Sequence, residues 1–160
     1  MDRDLPSRLS AHHRMRQASV CPHDERIDGK MTVVRFERDG NLGRIVLSSP
    51  PHNFVSDEYN SDLVCAVREA GESEIRALLI EAEGPNFSRG GAAHEWPGKS
   101  YNWFRTFVTG VTASYRAIEA LEVPVVAAVR GEVIGGGLEL ALSADFIVAS
   151  ENAEIGRAHV

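Results

Sequence analysis

The sequence lacks what several classes of protein require. No stretch approaches eighteen uninterrupted apolar residues, so no segment reads as a membrane-spanning helix. There is no basic excess: 17 Lys and Arg stand against 23 Asp and Glu, a net charge of -6, a poor match for nucleic-acid phosphates. Only two cysteines occur, Cys21 and Cys65. They have no paired spacing, so neither a disulfide framework nor a zinc knuckle is suggested, and they read as free thiols in a reducing compartment. No repeat of fixed period is visible. What is present, 160 residues with 43% hydrophobic and 25% charged, suits one soluble globular domain with a real core.

The beginning of the chain differs from the rest. Residues 1–30 hold six Lys or Arg, five Asp or Glu, and His12, His13 and His23, with almost no apolar periodicity. The apolar core of a secretory signal is missing, and the acidic residues argue against a transit peptide. The expectation is a disordered N-terminal extension over 1–30 and a folded domain over 31–160.

Within that domain the patterning alternates. Residues 32–38 and 43–49 read as strands around the turn signal Asp39-Gly40-Asn41, and Pro50 and Pro51 end the second. Ser56 is placed to cap a helix with Asp57 and Glu58 in its first turn; Tyr59, Leu63, Ala66 and Val67 give its apolar spacing and Gly71 its end. Residues 77–82 read as a buried strand, 84–98 as a glycine-bearing loop, and 101–121 as a long amphipathic helix stopped by Pro124. Residues 125–129 form another apolar strand, 131–137 a second glycine loop, 138–143 a helix, and 146–149 a short strand. Two strands and a helix followed by strand-helix units is the order of an α/β chain.

Chemistry concentrates in the two glycine loops. Each follows an apolar β-rich run and so lies where strands end and ligands bind in α/β proteins. Glycines let a ligand approach backbone N–H groups with no Cβ in the way. The second loop runs into a helix, whose free N–H groups and dipole favour developing negative charge. One N–H from each loop directed at a single oxygen would form an oxyanion hole. Taken alone, Gly135-Gly136-Gly137 reads more readily as an ordinary tight strand-to-helix turn with no ligand. A phosphate loop does not fit: no Lys-Ser or Lys-Thr follows the glycines, and the spacing around Gly131 and Gly135 breaks G-x-G-x-x-G.

A specific resemblance adds to this reading. Residues 124–131 (PVVAAVRG), 135–145 (GGGLELALSAD) and 153–156 (AEIG) resemble the signature of the crotonase superfamily, the enoyl-CoA hydratase/isomerase family. Residues 86–91 (NFSRGG) resemble that family's first oxyanion loop, and residues 50–55 (PPHNFV) with Leu63 its first strand-to-helix turn. The resemblance implies a crotonase-like α/β spiral of ββα turns, incomplete at the C-terminus. It also implies acyl-CoA thioester ligands, a role in fatty acid metabolism, a trimer or hexamer when complete, and a cytoplasmic location. It calls for no metal, no nucleic acid, no membrane, and no cofactor beyond the coenzyme A of the substrate.

Carried over by position, the resemblance makes the N–H groups of Gly91 and Gly136 the oxyanion donors. It sets Gly90, Gly91, Ala92, Ala93 and His94, with Gly136, along the thioester and pantetheine path. Glu139, three residues beyond Gly136, takes the first acid/base position of the hydratases; the bland reading of Glu139 is a carboxylate capping a first-turn amide. Trp96, Tyr101, Trp103 and Phe104 read either as walls of an acyl pocket or as core of the long helix.

Three departures accompany the resemblance. Ala92 stands where the family often has an acidic residue. His159 stands where its hydratases carry a second glutamate; a histidine is a competent general base near neutral pH but does not reproduce a paired carboxylate. Relatives also continue well beyond the position of Val160, through the part that closes the pocket and builds the oligomer. The sequence therefore supports an acyl-CoA-binding protein that stabilises an enolate or oxyanion through backbone amides. Its alternative is a truncated, inactive relative that only binds CoA or a partner subunit.

Overall fold

The structure, a computed structural model, describes residues 32–156. Strands β1 (Val34–Asp39) and β2 (Leu42–Leu47) form an antiparallel hairpin whose turn carries Gly40 at φ 59°. Helix α1 (Asp57–Glu72) starts at Ser56, whose hydroxyl accepts the N–H of Tyr59 at 3.2 Å. Strand β3 (Ala77–Ala82), helix α2 (Tyr101–Glu119) and strand β4 (Val125–Val129) follow. Then come β5 (Glu132–Ile134), the short helix α3 (Gly136–Leu142), β6 (Phe146–Ala149) and β7 (Glu154–Gly156). The main sheet runs β1-β2-β3-β4-β6, parallel from β2 onward, and β5 pairs with β7 in a separate two-stranded parallel sheet.

One face of the main sheet forms the core. Val34, Ile45, Leu47, Leu78, Ile80, Ala82, Val125, Ala127 and Val129 alternate along their strands and are all buried. Tyr59, Leu63 and Ala66 of α1 and Ile118 of α2 belong to the same cluster. Two polar contacts tie α2 to α1: Ser114 donates to Asn60 Oδ1 at 2.9 Å, and the Trp103 indole N–H donates to Asp57 at 3.1 Å. The opposite face divides. Over β1 to β3 it carries Arg35, Glu37, Arg44 and Glu81 in a chain of ion pairs. Over β6 it carries Phe146 and Val148, 63% and 61% exposed.

Several expectations change. The loop expected over 131–137 contains β5, and β7 was not foreseen; three-residue strands are too short to show a period. Helix α3 starts at Gly136 rather than Leu138, because glycine's low helix propensity hides a helical turn that tertiary contacts impose. Helix α1 runs through Gly71 to Glu72, and α2 stops at Glu119. Strands β3 and β4 are buried on one face and half-buried on the other, while β6 lies at the sheet's end with all four residues exposed. Cys65, 2% exposed, is disulfide-bonded rather than a free thiol; spacing rules read only clustered cysteines and so gave no sign of it. The extension expected over 1–30 and His159 lie outside the described residues.

Candidate functional site

The first glycine loop is held mainly by backbone pairing. The N–H groups of Phe87, Ser88 and Arg89 donate to the carbonyls of Arg130, Glu132 and His52 at 2.8, 3.0 and 2.9 Å. Gly90 N–H donates to the Ser88 hydroxyl at 3.2 Å. Val55 then pairs across Gly91: its N–H donates to Gly90 O at 2.9 Å, and its carbonyl accepts Ala92 N–H at 3.0 Å. In a parallel bridge of this kind the central residue's own N–H points away from its partner. From Phe87 through Ala93, only the Gly91 N–H has no acceptor among the described residues.

The second loop supplies its donor by a simpler route. Gly135 is the N-cap of α3, at φ 51°, and Gly136 is the first helical residue. The first N–H groups of a helix have no intrahelical acceptor, and none is found for Gly136 among the described residues. The helix dipole adds partial positive charge at that end.

The two loops are packed directly together. Ser88 pairs with Val133, its N–H donating to Glu132 O and its carbonyl accepting Ile134 N–H, both at 3.0 Å. Gly90 has φ +77°; a Cβ there would lie 2.7 Å from Ile134 O and 3.3 Å from Gly136 N. A Cβ on Gly137 would lie 2.5 Å from the Ser88 Cβ. The glycines at 90 and 137 thus permit an approach of loop to helix that any side chain would prevent.

A buried polar network fixes this arrangement from behind. Asn53, 1% exposed and at φ 48°, accepts Ser49 N–H and donates to the carbonyls of Glu83 and Asn86, each at 2.9 Å. The Ser88 hydroxyl, fully buried, donates to Asn53 O at 2.7 Å. From α2, the buried Tyr115 hydroxyl donates to Gly136 O at 2.8 Å. Burial pushes the Tyr115 phenol's pKa far above its ordinary value; the neighbouring Tyr59 hydroxyl works against this, and the negative charge of Glu139 adds to it.

The other expected site residues take varied positions. Ala92 is buried at 1% exposure, so its side chain packs inward beneath the loop. Ala93 and His94 form a single exposed 3-10 turn with Glu95, and the His94 ring packs on Phe54 with centroids 5.1 Å apart. Glu139 lies in the first turn of α3 and is exposed. Trp96 stands over Gly91: a Cβ on that glycine would come 2.6 Å from its ring. Trp96 and Trp103 pack against the core, whereas Tyr101 and Phe104 are 79% and 41% exposed. The supporting roles of Asn53, Ser88 and Tyr115 went unread in the sequence. Asn53 sits inside the quoted strand-to-helix turn, and Tyr115 looks like one more apolar position of a long helix.

A profile of the enoyl-CoA hydratase/isomerase family matches residues 37–160. The chain belongs to that family. It is 33% identical over 132 residues to a cyclohexa-1,5-dienecarbonyl-CoA hydratase of Thauera aromatica, covering 79% of this chain and 48% of that protein. It is 36% identical over 130 residues to a (7aS)-7a-methyl-1,5-dioxo-2,3,5,6,7,7a-hexahydro-1H-indene-carboxyl-CoA hydrolase of Mycobacterium tuberculosis, covering 79% and 52%. The crystal structure of an enoyl-CoA hydratase from Thermoplasma volcanium superposes with a TM-score of 0.75 at 32% identity, covering 79% of this chain and 52% of that one. The crotonase fold expected from the glycine motifs is therefore the fold of this chain, which spans about half the length of the relatives it matches.

Proposed function

We propose that this crotonase-family chain binds an acyl-CoA thioester and polarises its carbonyl through the N–H groups of Gly91 and Gly136. The observation that carries the reading is the pair of N–H groups with no acceptor among the described residues, on two loops packed against each other, one of them at a helix N-terminus. Two fixed donors stabilise an oxygen that gains negative charge, whether by loss of an α-proton to an enolate or by addition at the carbonyl. Because the donors are backbone groups locked by packing, they need little reorganisation as charge develops. Glu139, on the exposed first turn beyond Gly136, is the group we assign to proton transfer at the substrate carbons.

The two relatives named above are a hydratase and a hydrolase, so the shared chemistry is best placed at carbonyl polarisation rather than at one reaction. A second reading, binding without turnover, is favoured by His159 at the position of the second glutamate. Self-assembly and a cytoplasmic location accompany the family reading as expectations. The test is calorimetric titration with an acyl-CoA, alongside turnover assays. A Cβ at position 136 would come 3.2 Å from Val55 Cγ2, and Val55 is the residue that holds Gly90 and Ala92. Gly136→Val therefore presses on both loops and crowds the donor. We expect a loss on the order of 3 kcal/mol of stabilisation, the usual cost of one such donor. Affinity and turnover unchanged in Gly136→Val would sink the reading.

A further inference from the structure

We propose that Tyr115 is a positioning residue of this site, its buried hydroxyl holding the Gly136 carbonyl so that the Gly136 N–H stays aimed at the thioester oxygen. The proposal rests on the reading above and adds to it the device that keeps the helix-side donor in place. Three glycines in succession, Gly135, Gly136 and Gly137, make the most pliable start a helix can have, because none has a side chain to restrict its torsions. Each is restrained from outside. Gly135 N–H donates to Gly156 O at 3.4 Å, and Gly137 is backed by Ser88. Gly136 is restrained by Tyr115, whose hydroxyl donates to its carbonyl at 2.8 Å.

That bond is more than routine satisfaction of a buried carbonyl. Gly136 O opens α3 and is placed to accept an N–H from the next turn of the helix. A phenylalanine at 115 would fill the same volume without burying a hydroxyl, which is costly unless it is bonded. The tyrosine also reaches the site from a separate element: α2 is fastened to α1 by the Ser114–Asn60 bond one residue before it. Gly136 is thereby referenced to the α1/α2 layer rather than to its own seven-residue helix. Nearby, Tyr59 is also fully buried with its hydroxyl beside the Tyr115 phenol, but among the described residues it has no hydrogen-bond partner of ordinary geometry and none at Gly136. It provides an internal control.

The experiment uses the 160-residue chain and 4-(dimethylamino)cinnamoyl-CoA, a chromophore whose absorbance moves to the red as its thioester carbonyl is polarised. Wild type should bind the probe with a red shift. Tyr115→Phe should keep most of the affinity and lose most of the red shift, with an unchanged circular dichroism spectrum. Tyr59→Phe should retain both. Should Tyr115→Phe fold poorly, 3-fluorotyrosine at position 115 serves instead; as a stronger donor of nearly the same size it should move the absorbance further to the red. A full wild-type shift in Tyr115→Phe, or an unaltered shift with the fluorinated residue, overturns the proposal while leaving carbonyl polarisation standing. Absence of any shift in wild type overturns both.

Discussion

The two N–H groups assigned to the oxyanion are obtained in different ways. Gly136 owes its donor to secondary structure: the first turn of any helix leaves N–H groups without acceptors, and α3 needs only to be pointed at the ligand. Gly91 sits in a segment without regular structure, where a free N–H arises because every neighbouring N–H is consumed. The helix donor therefore depends on orientation, and the loop donor on a buried polar network whose members act together. Damage to the loop's network should unfold or slacken the molecule; damage near the helix donor should alter chemistry while leaving the fold nearly untouched.

Asn53→Ala should have the largest effect. It removes three hydrogen bonds of a fully buried side chain. At about 1 kcal/mol for each bond, chemical denaturation should show a loss of about 3 kcal/mol. A change below 1 kcal/mol would contradict the dependence of the loop on that network. Ser88→Ala removes one bond to Asn53 O and one from Gly90 N–H and should cost about 2 kcal/mol, with acyl-CoA binding weakened as Gly91 loosens.

On the helix side, pH gives the next effect. Burial raises the pKa of both Tyr59 and Tyr115. Below the ordinary phenol value of about 10 both are protonated folded or unfolded, and no stability depends on pH through them. Above it the unfolded chain releases protons that the folded chain retains, so stability falls as pH rises toward the folded values. Each tyrosine should account for about 1 kcal/mol of loss between pH 10 and 11, and Tyr115→Phe should remove its share of that slope. The smallest effect on stability belongs to Glu139→Gln. The residue is exposed, so the change should stay within about 0.5 kcal/mol. Any turnover should fall far more than stability does; equal activity would remove Glu139 from proton transfer.

The same contrast explains what could be read from the sequence. Resemblance named both Gly91 and Gly136; for the helix side the sequence also held a local signal, a glycine run leading into an apolar helical pattern, though it set the helix start two residues late. The loop-side donor was located by resemblance, but its cause was not legible. Gly91 is free only because Val55 and the Ser88 hydroxyl use up the surrounding groups; Val55 lies far away in sequence, and Ser88 is itself held by Asn53, 35 residues before it, and by β5, which no periodicity announced. Strands β3, β4 and β6 carried clear apolar runs, yet composition could not separate the buried Ile80 from the exposed Phe146 and Val148. That difference depends on which neighbours cover each face, a property of the assembled sheet. Tyr115 was hidden for the same reason, since its spacing marks a core position and says nothing of the carbonyl its hydroxyl reaches.

The central claim, that one thioester oxygen is gripped by both donors, is tested most directly by isotope-edited infrared spectroscopy of an acyl-CoA labelled with carbon-13 at the carbonyl. Bound to the wild-type chain, the labelled carbonyl stretch should move to lower frequency than in free solution, as two fixed N–H donors draw charge onto oxygen. Gly136→Val should return most of that displacement. A bound wild-type carbonyl with the same frequency as in water would contradict the account, because the ligand would then be held without engaging Gly91 and Gly136.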